Sequence, residues 1–325
     1  MTFALILGSL MAVAGGLLVG ATTLSPTAAM RALLSPDGGI ESVFVWTLRL
    51  PRSLAAFVGG AGLSVSGCLL QTLTRNPLAG PHLTGVTAGA VAPIVACIVL
   101  LPGVSPLAYP WIGCAGGLAA ALVTFWIARG SGARPLQLAL GGVSVSMFLA
   151  AVTTYLLLLS GPRMASLLFW LSGGFQGRTW IHLIYMAPWV LIGLAGALAA
   201  RRIVGLMSLD DATAAGMGVQ LALWKPALLL LAVLPVAGIA PIGGPIAFVG
   251  LATPHIARLL RADGPGWTIA LAAALGGFLL VVADLLARSI AAPREIPVGI
   301  LTALIGGPIF VALILRPQTL KGRRV

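Results

Sequence analysis

Residues 267–287 read WTIALAAALGGFLLVVADLLA, twenty-one positions with a single charged side chain, Asp284. At about 1.5 Å per residue, a helix over this stretch matches the roughly 30 Å hydrocarbon core of a bilayer. Nine further runs of this character stand at roughly 3–22, 50–72, 84–101, 108–128, 137–158, 180–200, 224–240, 244–259 and 297–315. The expected fold is therefore all-α and integral to the membrane, a polytopic bundle of about ten transmembrane helices in one domain over residues 1–325. The first run lacks a basic leading segment and is too long for the apolar part of a signal peptide, so it reads as a span. Small residues recur at helical spacing, as in Gly59, Gly62, Ser64 and Gly67, and predict close helix packing.

Composition excludes most other classes. Apolar residues are 59% of the chain, charged residues 8%, and mean hydropathy is +1.08. A soluble domain carries about 25% charged residues, so this chain cannot cover a water-facing surface. The net charge of +12 fits loop residues that set topology better than it fits nucleic-acid binding. Cys68, Cys97 and Cys114 lie in apolar runs without metal-ligand spacing and read as small core residues.

Lys and Arg are distributed unevenly between alternate loops. Arg75, Arg129, Arg134, Arg201, Arg202, Lys225, Arg258, Arg261, Arg316, Lys321, Arg323 and Arg324 fall on one side. Arg31, Arg49, Arg52, Arg163, Arg178, Arg288 and Arg294 fall on the other. Twelve against seven places both termini in the cytoplasm by the positive-inside rule.

The spans are nearly free of ionisable groups, which ion-coupled transporters and selective channels need. Asp284 has Arg288 four residues on, the same helix face, and reads as a local ion pair before a proton relay. His255, after Pro254, is structural or a gate element; His82 and His182 are loop or interface residues. There is no GxxxxGK[ST], GxSxG or HExxH, and no paired carboxylates or clustered histidines to support a membrane-embedded enzyme. No catalytic, cofactor or metal residue is expected on the chain. Energy for active transport must then come from a partner. A landing site for one is offered by GLMSLDDATAAGMGVQLALWKP, residues 205–226. Ser208 can cap a short helix there, with Asp210 and Asp211 in its first turn and Gly216 and Gly218 at its end. An ordinary surface helix satisfies the same residues.

Six segments, in order, carry a resemblance: RLPRSLAAFVGGAGLSVSGCLLQTLTRNPLAGPHLTGVTAGA (49–90), LALGGVSVSMF (138–148), FWLSGGFQGRTW (169–180), MSLDDATAAGMGV (207–219), GPIAFVGLATPHIARLL (244–260) and ADLLARSIAAPREIPVGILTALIGGPIF (283–310). Together they resemble the FecCD-type permeases of bacterial ABC importers for iron-siderophores, haem and cobalamin, with ferric-siderophore permeases of the ferric-citrate type the nearest in character. The resemblance implies type II importer architecture in the bacterial inner membrane. The implied partners are a second copy or a related permease, two cytoplasmic ATPase subunits that bind ATP and Mg, and a periplasmic binding protein delivering a metal chelate, all within membrane lipid. It implies that Leu209, Asp210, Asp211, Ala212, Ala215, Gly216 and Gly218 form the coupling loop against the ATPase. It also implies that Arg49, Arg52 and Arg288 dock acidic residues of the binding protein, a pairing suited to guanidinium. Arg288 has Asp284 as a rival partner, and Arg294 has its neighbour Glu295. Span five is expected to line the pathway. In cobalamin importers of the family, small hydroxyl residues before span five help form the cytoplasmic gate; Pro135 and Leu136 stand there in this chain and imply a more apolar gate.

Overall fold

The computed structural model describes residues 2–18, 24–36, 38–129, 135–260, 264–292 and 294–315. Of the cations used above for orientation, Arg134, Arg261, Arg316, Lys321, Arg323 and Arg324 lie outside the described residues. The described residues form helices and no strands. They are α1 (Thr2–Leu18), α2 (Pro26–Leu34), α3 (Ile40–Val43), α4 (Leu50–Thr74), α5 (Val86–Leu100), α6 (Tyr109–Arg129), α7 (Pro135–Leu159), α8 (Met164–Leu171), α9 (Trp180–Ala199), α10 (Arg201–Met207), α11 (Asp211–Gly216), α12 (Leu221–Gly243), α13 (Val249–Leu259), α14 (Pro265–Ser289) and α15 (Val298–Leu315). A π-helical turn, Phe44–Arg49, joins α3 to α4 into one continuous helix.

The ten expected spans correspond to α1, α4, α5, α6, α7, α9, α12, α13, α14 and α15. Among the described residues, six helical stretches are long and apolar enough to cross a membrane, and α5 and α15 contain shorter apolar ones. One span departs from its expected limits. Residues 244–259 were expected to be helical throughout, yet α13 begins only at Val249, and Gly244 and Phe248 have positive φ. Eleven residues of helix rise about 16 Å, half a bilayer. In the preceding irregular backbone Gly244 and Ile246 are buried and Pro245, Ala247 and Phe248 half-buried, and cover by protein is the condition under which non-helical chain is tolerated at membrane depth. Its neighbour Gly243 accepts from the Gly174 N–H at 2.8 Å.

α4 is the central strut, packed chiefly on α14 and also on α9, α12 and α13. Its glycines make this possible. A Cβ on Gly60 would lie 2.1 Å from the Gly276 carbonyl oxygen, and one on Gly67 would lie 1.7 Å from that of Gly250. No side chain fits at either distance, so α14 and α13 touch α4 backbone to backbone. This is small-residue packing, the form helix association takes where lipid tails remove the hydrophobic drive. Ser64 donates to the Gly60 carbonyl and accepts from Thr253, so these two buried hydroxyls are paired. α2 and α8 are short helices flanking the spans, and runs of apolar residues do not predict them.

Candidate functional site

The two groups of residues singled out in the sequence lie at opposite ends of α4. Arg52 is near its start and Arg75 caps its end in the left-handed region. Their separation along the axis is about 35 Å, close to the full thickness of the membrane.

At the first end, the structure gathers Arg49, Arg52 and Arg288 into one buried cluster with Asp284 and Glu295. Arg52 turns one edge of its guanidinium to Asp284, with Nε and Nη2 both 3.0 Å from Oδ1. Its Nη1 lies 2.9 Å from both oxygens of Glu295. Arg288 pairs with Asp284 through Nη2, as the spacing of four residues predicts, and the same nitrogen reaches Ser53 Oγ at 3.2 Å. Arg288 Nη1 donates to the Gly16 carbonyl at 3.0 Å, and Arg49 Nη1 to the Leu17 carbonyl at 2.6 Å. Those carbonyls belong to the last turn of α1, which a helix leaves without internal donors. Two guanidinium groups there satisfy them and oppose the negative end of the helix dipole.

The three arginines are therefore deeply placed, between 3% and 7% exposed, and joined to acceptors within the chain. Glu295 pairs with Arg52 across the bundle, whereas the sequence had offered it to its neighbour Arg294. Arg294 is exposed, with no ion pair among the described residues. The π turn ending at Arg49 adds a residue to the helical repeat just before RLPR and changes the face on which Arg49 emerges. No spacing rule applied to the sequence would reveal that turn. Arg178, also among the arginines of this side, keeps a buried Nε with no hydrogen-bond partner.

At the other end, α11 forms where a short helix was expected, with a different cap. Asp210 is the N-cap: its Oδ1 accepts from the Thr213 N–H at 2.9 Å and its Oδ2 from the Thr213 hydroxyl at 2.5 Å. Ser208, expected as the cap, instead donates to the Gly205 carbonyl. An aspartate in extended conformation directly before the helix reaches the third amide, which Ser208, two residues earlier, does not. Gly218, φ 86, supplies the left-handed turn that ends the helix, while Gly216 is its last residue. Asp211 bridges two spans. It accepts from Arg75 at the end of α4 and from Lys225 Nζ, near the start of α12, at 2.6 Å. Ala214 and Val219 are buried beneath the helix, whereas Leu209, Ala212, Ala215, Gly216 and Met217 face outward. The outward face thus sets these small and apolar residues beside the exposed Asp210 and Thr213. Hydrogen bonds from the Thr213 hydroxyl and then its N–H hold the Asp210 carboxyl below the usual carboxylate range. The Lys225 hydrogen bond does the same for Asp211, against some desolvation and with help from Arg75.

Among the described residues, no group of three or more His, Cys, Asp or Glu could hold a metal ion. Pro135 and Leu136 open α7, and Leu136 is 70% exposed at its first turn.

This bundle of apolar helices, braced by one central strut and bearing a short helix pinned to two spans, is the architecture of a membrane permease. A metal-chelate type ABC transporter solved in an inward-facing conformation shares it, with TM-score 0.81 and 29% identity over 97% of this chain and 98% of that one. The chain belongs to the FecCD transport family, whose model matches residues 5–316. It is 38% identical to the Fe(3+)-citrate import system permease protein YfmD of Bacillus subtilis, over 93% of this chain and 90% of the relative. It is 39% identical to the achromobactin transport system permease protein CbrC of Dickeya dadantii, over 92% and 86%. The Fe(3+) dicitrate transport system permease protein FecD of Escherichia coli is 38% identical, over 88% and 90%. The chain is thus a multi-pass membrane protein of a permease family.

Proposed function

We propose that the chain is the permease subunit of an ATP-driven importer that moves a ferric chelate of the citrate or siderophore class into the cytoplasm by alternating access. The observation that carries this is the family match over residues 5–316 together with the similarity to permeases named for ferric citrate and achromobactin. Two permease subunits enclose the pathway in the inner membrane, with both termini cytoplasmic. α11 then lies on the cytoplasmic face, and the arginine cluster lies at the periplasmic end. ATP and Mg are handled by a separate ATPase, which presses on the outward residues Leu209, Ala212, Ala215 and Gly216. Asp210, Asp211 and Gly218 hold the shape of that contact. Asp211, salt-bridged to Arg75 and Lys225, joins the contact to α4 and α12. A chelate-loaded binding protein docks at the opposite end, its acidic side chains drawn to the cluster of Arg49, Arg52 and Arg288. The permease carries out no covalent chemistry, and spans with few charges offer the chelate a path without a deep trap.

The test is uptake of radiolabelled ferric citrate into proteoliposomes holding the permease and its ATPase, with binding protein outside and ATP inside. Uptake should require both ATP and binding protein. Uptake driven by a proton or sodium gradient without ATP would overturn the proposal.

A further inference from the structure

Arg52 divides its guanidinium between two carboxylates that differ in how readily they could be exchanged. Asp284 is wholly buried in the interior of a 25-residue helix and also holds Arg288. It takes the forked Nε and Nη2 edge of Arg52. Glu295 lies on the non-helical stretch between α14 and α15, and its side chain is 30% exposed. It takes only Nη1, and among the described residues Arg52 is its sole partner. Arg52 itself is 9% exposed in its side chain, against 30% for Glu295.

We propose that Glu295 is a displaceable internal carboxylate: it holds Arg52 Nη1 while the permease is alone and gives it up to an acidic side chain of the binding protein on docking. This rests on the reading that the arginine cluster is the docking surface. The physical reason is continuity of pairing. A buried guanidinium stripped of a partner is strongly destabilised, because its desolvation is then uncompensated. Exchange of one carboxylate for another avoids that state. The partner's acid arrives at the same nitrogen, and Glu295, already at the surface, moves into water. Asp284 cannot play this part: its departure would strand two guanidinium groups in the interior. Three guanidinium groups against two carboxylates leave the cluster one net positive charge, so Glu295 also lowers the field that attracts an acidic partner. Without its charge the attraction strengthens and depends more steeply on salt.

The experiment measures the affinity of the binding protein for the complete permease–ATPase complex in lipid nanodiscs, at two salt concentrations. The variants are Glu295→Gln, Arg52→Gln, Arg49→Gln and the double substitution of Glu295 and Arg52. Glu295→Gln should tighten binding by about tenfold and steepen its salt dependence. Arg52→Gln should weaken binding and abolish the gain in the double variant. Unchanged or weaker binding by Glu295→Gln, with Arg52→Gln still impaired, would make Glu295 a fixed brace; the docking reading would stand and this proposal would fall. Full binding by Arg52→Gln and by Arg49→Gln would remove the docking reading and the proposal with it. Thermal unfolding of each complex checks the fold. Should Glu295→Gln not assemble, Glu295→Asp, whose shorter side chain withdraws from Nη1, must show a smaller gain of the same sign, and no gain overturns the proposal.

Discussion

Asp284 is the residue on which the arginine cluster turns. Among the described residues it is the only carboxylate within the interior of a span, and it neutralises parts of two guanidinium groups drawn from α4 and α14. A buried ion cluster is not by itself a source of stability, since desolvation opposes the attraction, but removing one member leaves buried charge unpaired. Asp284→Asn should therefore destabilise the permease by about 3–5 kcal/mol, read as a lower midpoint of thermal unfolding in detergent. Conservative replacement of Ser53 by Ala, which removes a single 3.2 Å hydrogen bond to Arg288, should cost about 1 kcal/mol by the same measurement. Equal losses would mean that Asp284 acts as an ordinary hydrogen-bond acceptor. At this scale the sequence was informative in part. The spacing of Asp284 and Arg288 on one helix face gave their pairing. The partnership of Arg52 with both carboxylates, 232 and 243 residues away, could not be read, because separation along the chain carries no such information.

α11 is a six-residue helix, too short to persist alone, since nucleation outweighs so few internal bonds. Its attachments are Asp210 at the cap, Ala214 and Val219 beneath, and the bridges of Asp211 to Arg75 and Lys225. Both carboxylates titrate below their ordinary range in the folded state. A depressed folded value means that their contribution is present above the unfolded carboxylate value and lost as pH falls through the folded one. Amide exchange in residues 211–217, taken relative to the unstructured rate at the same pH, should be slow at neutral pH and approach that rate in acid below that range. Asp211→Asn should accelerate it at neutral pH and flatten the acid dependence. The same variant should lower chelate uptake per ATP hydrolysed in proteoliposomes, since the helix would move without drawing α4 and α12 along. Unaltered exchange and unaltered uptake per ATP would show that Ala214 and Val219 suffice to hold the element.

The whole molecule is asymmetric in burial. The most apolar windows of α4, α12 and α14 are 83%, 67% and 67% buried, whereas those of α7 and α9 are 28% and 22% buried. The poorly covered helices must meet lipid, a protein partner or water. α7 exposes Ser144 and Thr154 on its uncovered side, while α9 exposes Ile184, Leu191 and Ile192. The hydroxyls donate to the carbonyls of Leu140 and Ala150 one turn back, so they are satisfied wherever they face. If α7 lines the pathway, cysteines at Ser144 and Thr154 should react with a water-soluble thiol reagent in the assembled importer. Cysteines at Ile184 and Leu191 should not, with the unsubstituted chain as the blank. The reverse pattern would move the pathway to α9.

What the sequence determined by itself was the solvent and the kind of object. Runs of about twenty apolar residues, with small residues at helical spacing, can fold only as packed helices in a bilayer, because backbone polar groups there must be satisfied within the segment. Ordered segments from RLPR to LLAR, with MSLDDATAAGMGV between them, were enough to indicate the family, and the short helix before Gly218 followed from its own residues. Only the tertiary structure decided where 244–259 breaks, because irregular backbone survives there through burial by neighbouring elements and not through any local preference. Only the tertiary structure likewise decided who holds the arginines. In a chain with nineteen cationic and seven acidic residues, each buried carboxylate has many formal partners. The backbone contact of α4 with α14 at Gly60 and Gly276 selects among them by bringing Arg52 within reach of Asp284.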